Sequence, residues 1–366
     1  MKHKILTVVL CALLVPFMVS GQTTQRLTAD KLNEYAIIYS LPKTVFDITI
    51  ETEHTVRKPG DFANYAKRHL GMTGAVTTQQ NTVKIKSINI TPRGVADPEK
   101  RYAAQFKAGS GATMLLDEAE VPLALNLDNV TFPEQPSLPK ANPIGPSVLE
   151  TDAARHALTL DITRASSQSK KAELTAQRIF ELREQRNDLI SGNVENMPPD
   201  GGAIQVALDN LNAQEAALTA MFMGTTQTFT DVRTVTFVPG ENDSTDIVIA
   251  RISPIDGIVD VNDLTGMPLT LDYKVLERGK LPENEKGQPK NFPKGGLAYN
   301  IPGSGTVALK FNGKVIASED YDIAQLGMVF GVDPSWFTKK NAQGSAEFSP
   351  ITGAIVKLAS GTAVSK

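Results

Sequence analysis

The stretch from Ser169 to Gly224 constrains this chain most, because it is the only long segment with clear helical periodicity. Ser167 or Ser169 can cap a first helix by satisfying an orphan amide at its start. Behind it Ala172, Ala176, Ile179, Phe180 and Ile190 fall on one stripe at three-to-four spacing. Gly192 supplies a left-handed stop, and Pro198 and Pro199 cannot continue a helix. Asp200 can cap a second helix whose apolar positions are Ile204, Ala207, Leu208, Leu211, Leu218, Met221 and Phe222. Two helices joined by a short turn are expected to pack antiparallel. The opposite face of the first helix carries Arg178, Glu181, Arg183, Glu184, Arg186 and Asp188. That face is either a docking surface for a partner, with Arg178, Arg183 and Arg186 as candidate contacts, or a solvated side laced with ion pairs of roughly 0.2–0.5 kcal/mol each. Glu215 lies within the second stripe and can reach an arginine of the first helix, which would fix the register of the pair.

On both sides of this segment the pattern is β. Phe46, Ile48, Ile50, Thr52, His54 and Val56 alternate with Asp47, Thr49, Glu51, Glu53 and Thr55, the period of a strand with one buried face. His54 falls on the inward side, as a hydrogen-bonded core residue. Asp61 caps a short helix with Lys67, Arg68 and His69 in its last turn, where positive charge suits the helix dipole. From Val83 to Ile90 the parity shifts between Ile85 and Ile88, which predicts a bulge, and Thr91 to Asp97 reads as a loop. Short strands follow at 102–106, 113–116 and 123–127. Prolines 133, 136, 139, 143 and 146 preclude a sheet interior and predict an extended connector. After Gly224, strands are expected at 227–238, 246–252 and 269–276, a polar loop at 280–296, a hairpin turning at Asn312-Gly313, and closing strands at 325–330 and 354–358. The expected fold class is α+β. Two β-rich, sandwich-like lobes, 34–130 and 225–366, flank a central antiparallel helical hairpin at 169–224, with a Pro-rich connector at 131–168. Both β regions run strand, Pro-Gly, strand, Thr/Ser-Pro, then Gly-Val/Ile-x-Asp, so the lobes are candidates for diverged copies of one unit.

Residues 1–21 read as a signal peptide: Lys2 and Lys4, an apolar run too short to span a membrane, then a small-residue cleavage site at Val19-Ser20-Gly21. Cys11 is the only cysteine and sits inside that run after Leu10, which is not a lipid-anchor arrangement. The mature chain then lacks any thiol for a disulfide, a zinc thiolate or a nucleophile. The expected location is the periplasm or cell envelope. With 40 acidic and 37 basic residues, no basic surface for nucleic acid is implied.

No zinc-protease motif, phosphate loop or nucleophile elbow is present, and no cofactor is expected. The glycine-serine turns at Gly109-Ser110-Gly111 and Gly303-Ser304-Gly305 carry no sign of a catalytic serine. Asp256, Asp260, Asn262 and Asp263 are the densest set of oxygen ligands and the calcium candidate, although Leu264 falls where an EF-hand loop needs a ligand. Glu241, Asn242, Asp243 and Asp246 form a second acidic turn. Trp336, the sole tryptophan, is flanked by Pro334 and Phe337 and is expected to pack under a turn.

Several stretches together resemble a family of exported proteins of Gram-negative bacteria, domain-of-unknown-function family 4831. They are Leu41-Pro42-Lys43-Thr44, Arg57-Lys58-Pro59-Gly60, Tyr65-Ala66, Leu70-Gly71, Ile179 to Arg186 with Leu189-Ile190-Ser191-Gly192, Asp200-Gly201, Phe222-Met223-Gly224, Arg251-Ile252-Ser253-Pro254, Ile301-Pro302-Gly303, Gln325-Leu326-Gly327 and Thr352-Gly353-Ala354-Ile355. The resemblance implies export and an architecture, and no catalytic residues. The expected function is a non-enzymatic envelope protein, a binding or assembly module with a protein partner. The alternatives are an exported hydrolase, with Asp256, Asp260 and Asp263 or Glu51 and Glu53 as its carboxylates, or a carbohydrate-binding protein.

Overall fold

The structure, a computed structural model, describes residues 36–105, 112–132, 137–338 and 343–360. The expected signal peptide with Cys11, Phe106 of the strand expected at 102–106, the glycine-serine turn expected at Ser110, and Pro133 and Pro136 lie outside the described residues. The fold is mixed α+β, 45% strand and 24% helix, built from antiparallel sheets.

The alternating stretch around Phe46 is the middle of a strand, β1, that runs from Ala36 to Lys58. A strand this long contributes to two cores and leads to a third. Its first part puts Tyr39 and Leu41 into one core, its middle puts Phe46, Ile48 and Ile50 into a second, and the turn after it leads to Phe62 in a third. On one side β1 pairs with β2 (Gln80–Gln105), and on the other with β5 (Thr225–Phe237). The predicted bulge is real: Glu51 opposes Ser87 and Thr52 opposes Ile85, leaving Lys86 as the extra residue. The expected loop at 91–97 is instead strand, continuous with the short strand expected at 102, because β1 offers a partner along its whole length.

Behind this three-stranded sheet lies a five-stranded one, in the order β10 (Lys314–Val332), β9 (Leu297–Phe311), β8 (Met267–Glu277), β6 (Ser244–Ser253), β7 (Gly257–Val259). Ile48 and Ile50 of β1 share one buried cluster with Leu271 and Tyr273 of β8 and Leu309 of β9. The β9–β10 turn has Asn312 and Gly313 at φ 52° and 71°, as the Asn-Gly signal predicts. A four-stranded sheet, β12 (Ile355–Ala359), β11 (Ser345–Phe348), β4 (Pro122–Leu125), β3 (Met114–Leu116), closes the core around Tyr39, Leu41 and Leu297.

The two expected lobes are therefore not separate. β5, which follows the helices, returns to pair with β1, and β11 pairs with β4. A central strand needs a partner on each edge, and the chain supplies one from each half. The repeat fails for the same reason. Pro59-Gly60 lies between two hydrogen-bonded neighbours, whereas Pro239-Gly240 carries the chain from one sheet to another, and Thr91-Pro92 lies inside β2 while Ser253-Pro254 ends β6.

The third core is helical. It joins α1 (Ala66–Leu70), α2 (Asp152–Ala157), α4 (Gln168–Ser191) and α5 (Gly201–Met223), and the short α3 (Leu160–Arg164) packs on α4. Ser167 caps α4 by accepting from the Lys170 amide at 3.2 Å, and Asp200 caps α5 through Ala203 at 2.8 Å. Ala172, Ala176 and Ile179 are buried as the stripe predicts. Phe180 and Ile190 are not: they are 49% and 65% exposed, and Leu182 and Leu189 are buried in their place. By the register of the pair Ile190 lies opposite the first half of α5, where no residue is buried, while Phe180 lies under the Arg183 guanidinium, 5.6 Å from its ring centre.

Candidate functional site

The residues singled out from sequence do not converge. Asp256 accepts from the Ser253 hydroxyl at 3.2 Å, and Asp260 accepts from the amide and side chain of Asn262, both at 3.0 Å. Asp263 accepts from Thr265 Oγ1 at 2.7 Å and its amide at 2.9 Å, and these bonds hold its carboxyl below the usual aspartate range. Each carboxylate closes its own turn, as Asx side chains do. Among the described residues no three His, Cys, Asp or Glu side chains are grouped to hold a metal ion. In the second acidic turn Asp243 accepts from the Val275 amide at 2.8 Å.

Glu51 is nearly covered, and Lys86 Nζ and Ser87 Oγ each donate to it at 2.8 Å. The Lys86 ammonium first, and the Ser87 hydroxyl second, hold its carboxyl below the usual range. Glu53 faces Lys84 across the β1–β2 pair. His54 is buried, 3.2 Å from Thr52 Oγ1 and stacked on Phe229 at 4.6 Å. His69 sits in the last turn of α1, and His156 is exposed on α2. Ser304 lies within β9. Trp336 is 44% exposed rather than packed under a turn, because its neighbour Phe337 fills the core position in α6 (Ser335–Thr338).

The arginines of α4 are engaged within the protein. Arg178 donates to Glu181 at 3.1 Å. Arg183 Nε donates to Glu215 Oε1 at 2.5 Å, Arg186 Nη1 donates to the other oxygen of Glu215, and Arg186 also reaches Asn212 at 3.0 Å. Residues 183 and 186 meet 215 and 212, which is an antiparallel register fixed by one carboxylate. An open groove of about 480 Å³ runs beside them, floored by Ala216, Ala220 and Met223.

A second groove, of about 570 Å³, opens along β2 between the two packed sheets. Its apolar walls are Val83, Ile85 and Ile88 of β2, Ile252 of β6, Phe311 of β9, and Ile316 of β10, and Lys84 and Lys86 line its rim. β2 is an outer strand of its sheet, and among the described residues no strand pairs with its outer edge. No motif in the sequence marks this place. The signal was there in the parity shift between Ile85 and Ile88 and in the two lysines, but which strand lies at an edge is a non-local property.

The family described as a domain of unknown function, DUF4831, matches residues 35–356. The chain belongs to this family. No curated protein and no solved structure matches it. Stretches that carry the family resemblance meet at two buried junctions. At one, Thr44 Oγ1 accepts from the Ala324 amide at 3.0 Å and lies 3.2 Å from the Ile351 carbonyl, to which it donates, while the buried Asn300 amide group donates to Ala324 and Thr352 carbonyls, both at 3.0 Å. At the other, the Phe62 ring lies 5.3 Å from that of Phe222, tilted at 50°, and the Phe62 amide donates to the Met221 carbonyl at 2.7 Å. There a Cβ on Gly60 would stand 2.3 Å from the Met221 carbonyl oxygen, so only glycine lets the two segments approach. Arg251 ties the 260–266 loop to β6, donating to the carbonyls of Val261 at 2.8 Å and Gly266 at 3.0 Å. These family stretches hold the fold together. Among the described residues no helix is long and apolar enough to cross a membrane.

Proposed function

We propose that this protein is an exported, non-enzymatic protein of the cell envelope that works as a binding or assembly module. The three-stranded and five-stranded sheets serve as a sandwich scaffold, and α4 and α5 act as a helical hairpin that braces it. The observation that carries this reading is the groove along β2, where apolar walls from two sheets and an unpaired strand edge are left open together. An unpaired strand edge is a ready template for pairing with another chain. Of the carboxylates considered for hydrolysis, Asp256, Asp260 and Asp263 are bound into turns and Glu51 into an ion pair, which favours the module over the enzyme.

In-cell cross-linking of the full chain, followed by mass spectrometry of the envelope fraction, tests this. A recurrent cross-linked partner is expected. Cross-links confined to the chain itself, in repeated preparations, would contradict the reading.

A further inference from the structure

We propose that the outer edge of β2, over Val83 to Ile88, takes an added strand from a partner protein, an extended segment in which apolar and acidic residues alternate. This deepens the reading of the protein as a binding module and rests on it.

The requirement comes from the pleat. Side chains of a strand point alternately to its two faces, and any strand laid beside β2 must satisfy both. On the inner face it would meet Val83, Ile85 and Ile88 together with Phe311 and Ile316 across the groove, which only apolar side chains match. On the outer face it would meet Lys84 and Lys86. The other edge of β2 already shows what this strand accepts. There β1 presents Ile50-Glu51-Thr52-Glu53-His54, with Glu51 bonded to Lys86 at 2.8 Å and Glu53 opposite Lys84. An acidic segment on the open edge would place each lysine between two carboxylates, one on each neighbouring strand, where a basic segment would meet like charge.

There is also room for it. The sheet of β1, β2 and β5 has three strands and packs on a sheet of five. At the opposite edge the chain supplies its own cover: the Asn142 amide donates to Thr230 of β5 at 3.1 Å, and the Thr230 amide returns a bond at 3.0 Å. Beside β2 nothing described does the same. Lysines and a bulge on an edge strand ordinarily discourage unselected pairing. Here they exclude uncharged or basic strands and leave the acidic-apolar pattern admitted.

The probe is a synthetic peptide of about eight residues alternating isoleucine and glutamate, with a lysine-for-glutamate version as control, titrated onto the full chain. The acidic peptide is expected to bind about tenfold tighter than the basic one, with slowed amide exchange confined to 83–88 and the adjoining β1. Lys84→Glu alone, which leaves the Glu51–Lys86 pair in place, should reduce the preference, and Lys84→Glu with Lys86→Glu should reverse it. Equal binding of the two peptides, or protection elsewhere, would overturn the proposal. If a cross-linked envelope partner is found but contacts another face, the edge proposal fails while the module reading stands. If no partner is found either, both fail.

Discussion

Gln325 and Thr44 exchange a pair of hydrogen bonds: the Thr44 amide donates to Gln325 Oε1 at 2.9 Å, and Gln325 Nε2 donates back to the Thr44 carbonyl at 2.7 Å. Thr44 lies just before the point where β5 begins to pair with β1 at Phe46. The side-chain amide therefore continues the sheet where the strand has ended, and it also reaches the Pro239 carbonyl at 3.3 Å. Gln325→Ala is expected to cost about 2 kcal/mol, since it leaves a buried backbone donor and acceptor unpaired. Gln325→Glu should cost at least as much, because a carboxylate cannot donate to Thr44. Urea denaturation of both variants checks this, and unchanged midpoints would show that the pair contributes nothing.

Gly94 of β2 packs against the turn before β12. A Cβ there would stand 1.8 Å from the Pro350 carbonyl oxygen, a backbone atom that cannot swing away. Gly94→Ala is expected to destabilise by about 3 kcal/mol. A thermal melt within a degree of the wild type would contradict that close approach.

Tyr273 is fully buried, and its hydroxyl has no hydrogen-bond partner among the described residues. Burial pushes its phenol up to about 12. Tyr273→Phe removes the unpaired group and keeps the packing against Phe237 at 6.0 Å. The variant is expected to be as stable as the wild type or more so, by about 1 kcal/mol. A loss of stability on denaturant unfolding would reveal a partner for the hydroxyl.

Acid should loosen the sheets. The Arg93 guanidinium first, with help from Thr236, holds the Asp47 carboxyl below its ordinary 3.8. The Asp246 amide and the Lys310 ammonium do the same for Asp272. A carboxyl lowered by folding contributes stability that is present above its unfolded pKa and is lost as pH falls through the folded one. Stability is therefore expected to drop below about pH 4, and Asp47→Asn with Asp272→Asn should flatten that drop. Parallel stability curves for wild type and variant across that range would refute the assignment.

Much of this fold is legible in the sequence where the governing interaction is local. Ser167 and Asp200 announce their helices, Asn312-Gly313 its hairpin, and the alternation from Phe46 to Val56 its strand. The bulge at Lys86 is readable from parity alone. Glu215 was legible too, because its place inside an apolar stripe requires a partner. What could not be read is non-local. Nothing near Ile50 says that its second neighbour is Arg233, on the far side of the helices, so one interleaved set of sheets reads as two lobes. Phe180 and Ile190 fit a helical stripe, but Ile190 lies opposite the shallow first half of α5 and Phe180 lies under the Arg183 guanidinium. The acidic loop around Asp260 has the composition of a cation site, and its carboxylates also accept from groups within their own turns.

The open edge of β2 is the proposed place where a partner binds. The most direct test is affinity capture from the envelope fraction, run side by side with the wild-type chain and with Lys84→Glu/Lys86→Glu, both shown by thermal melting to be folded. The account predicts a stoichiometric partner on the wild type and its loss from the variant. A partner held equally by both would contradict it.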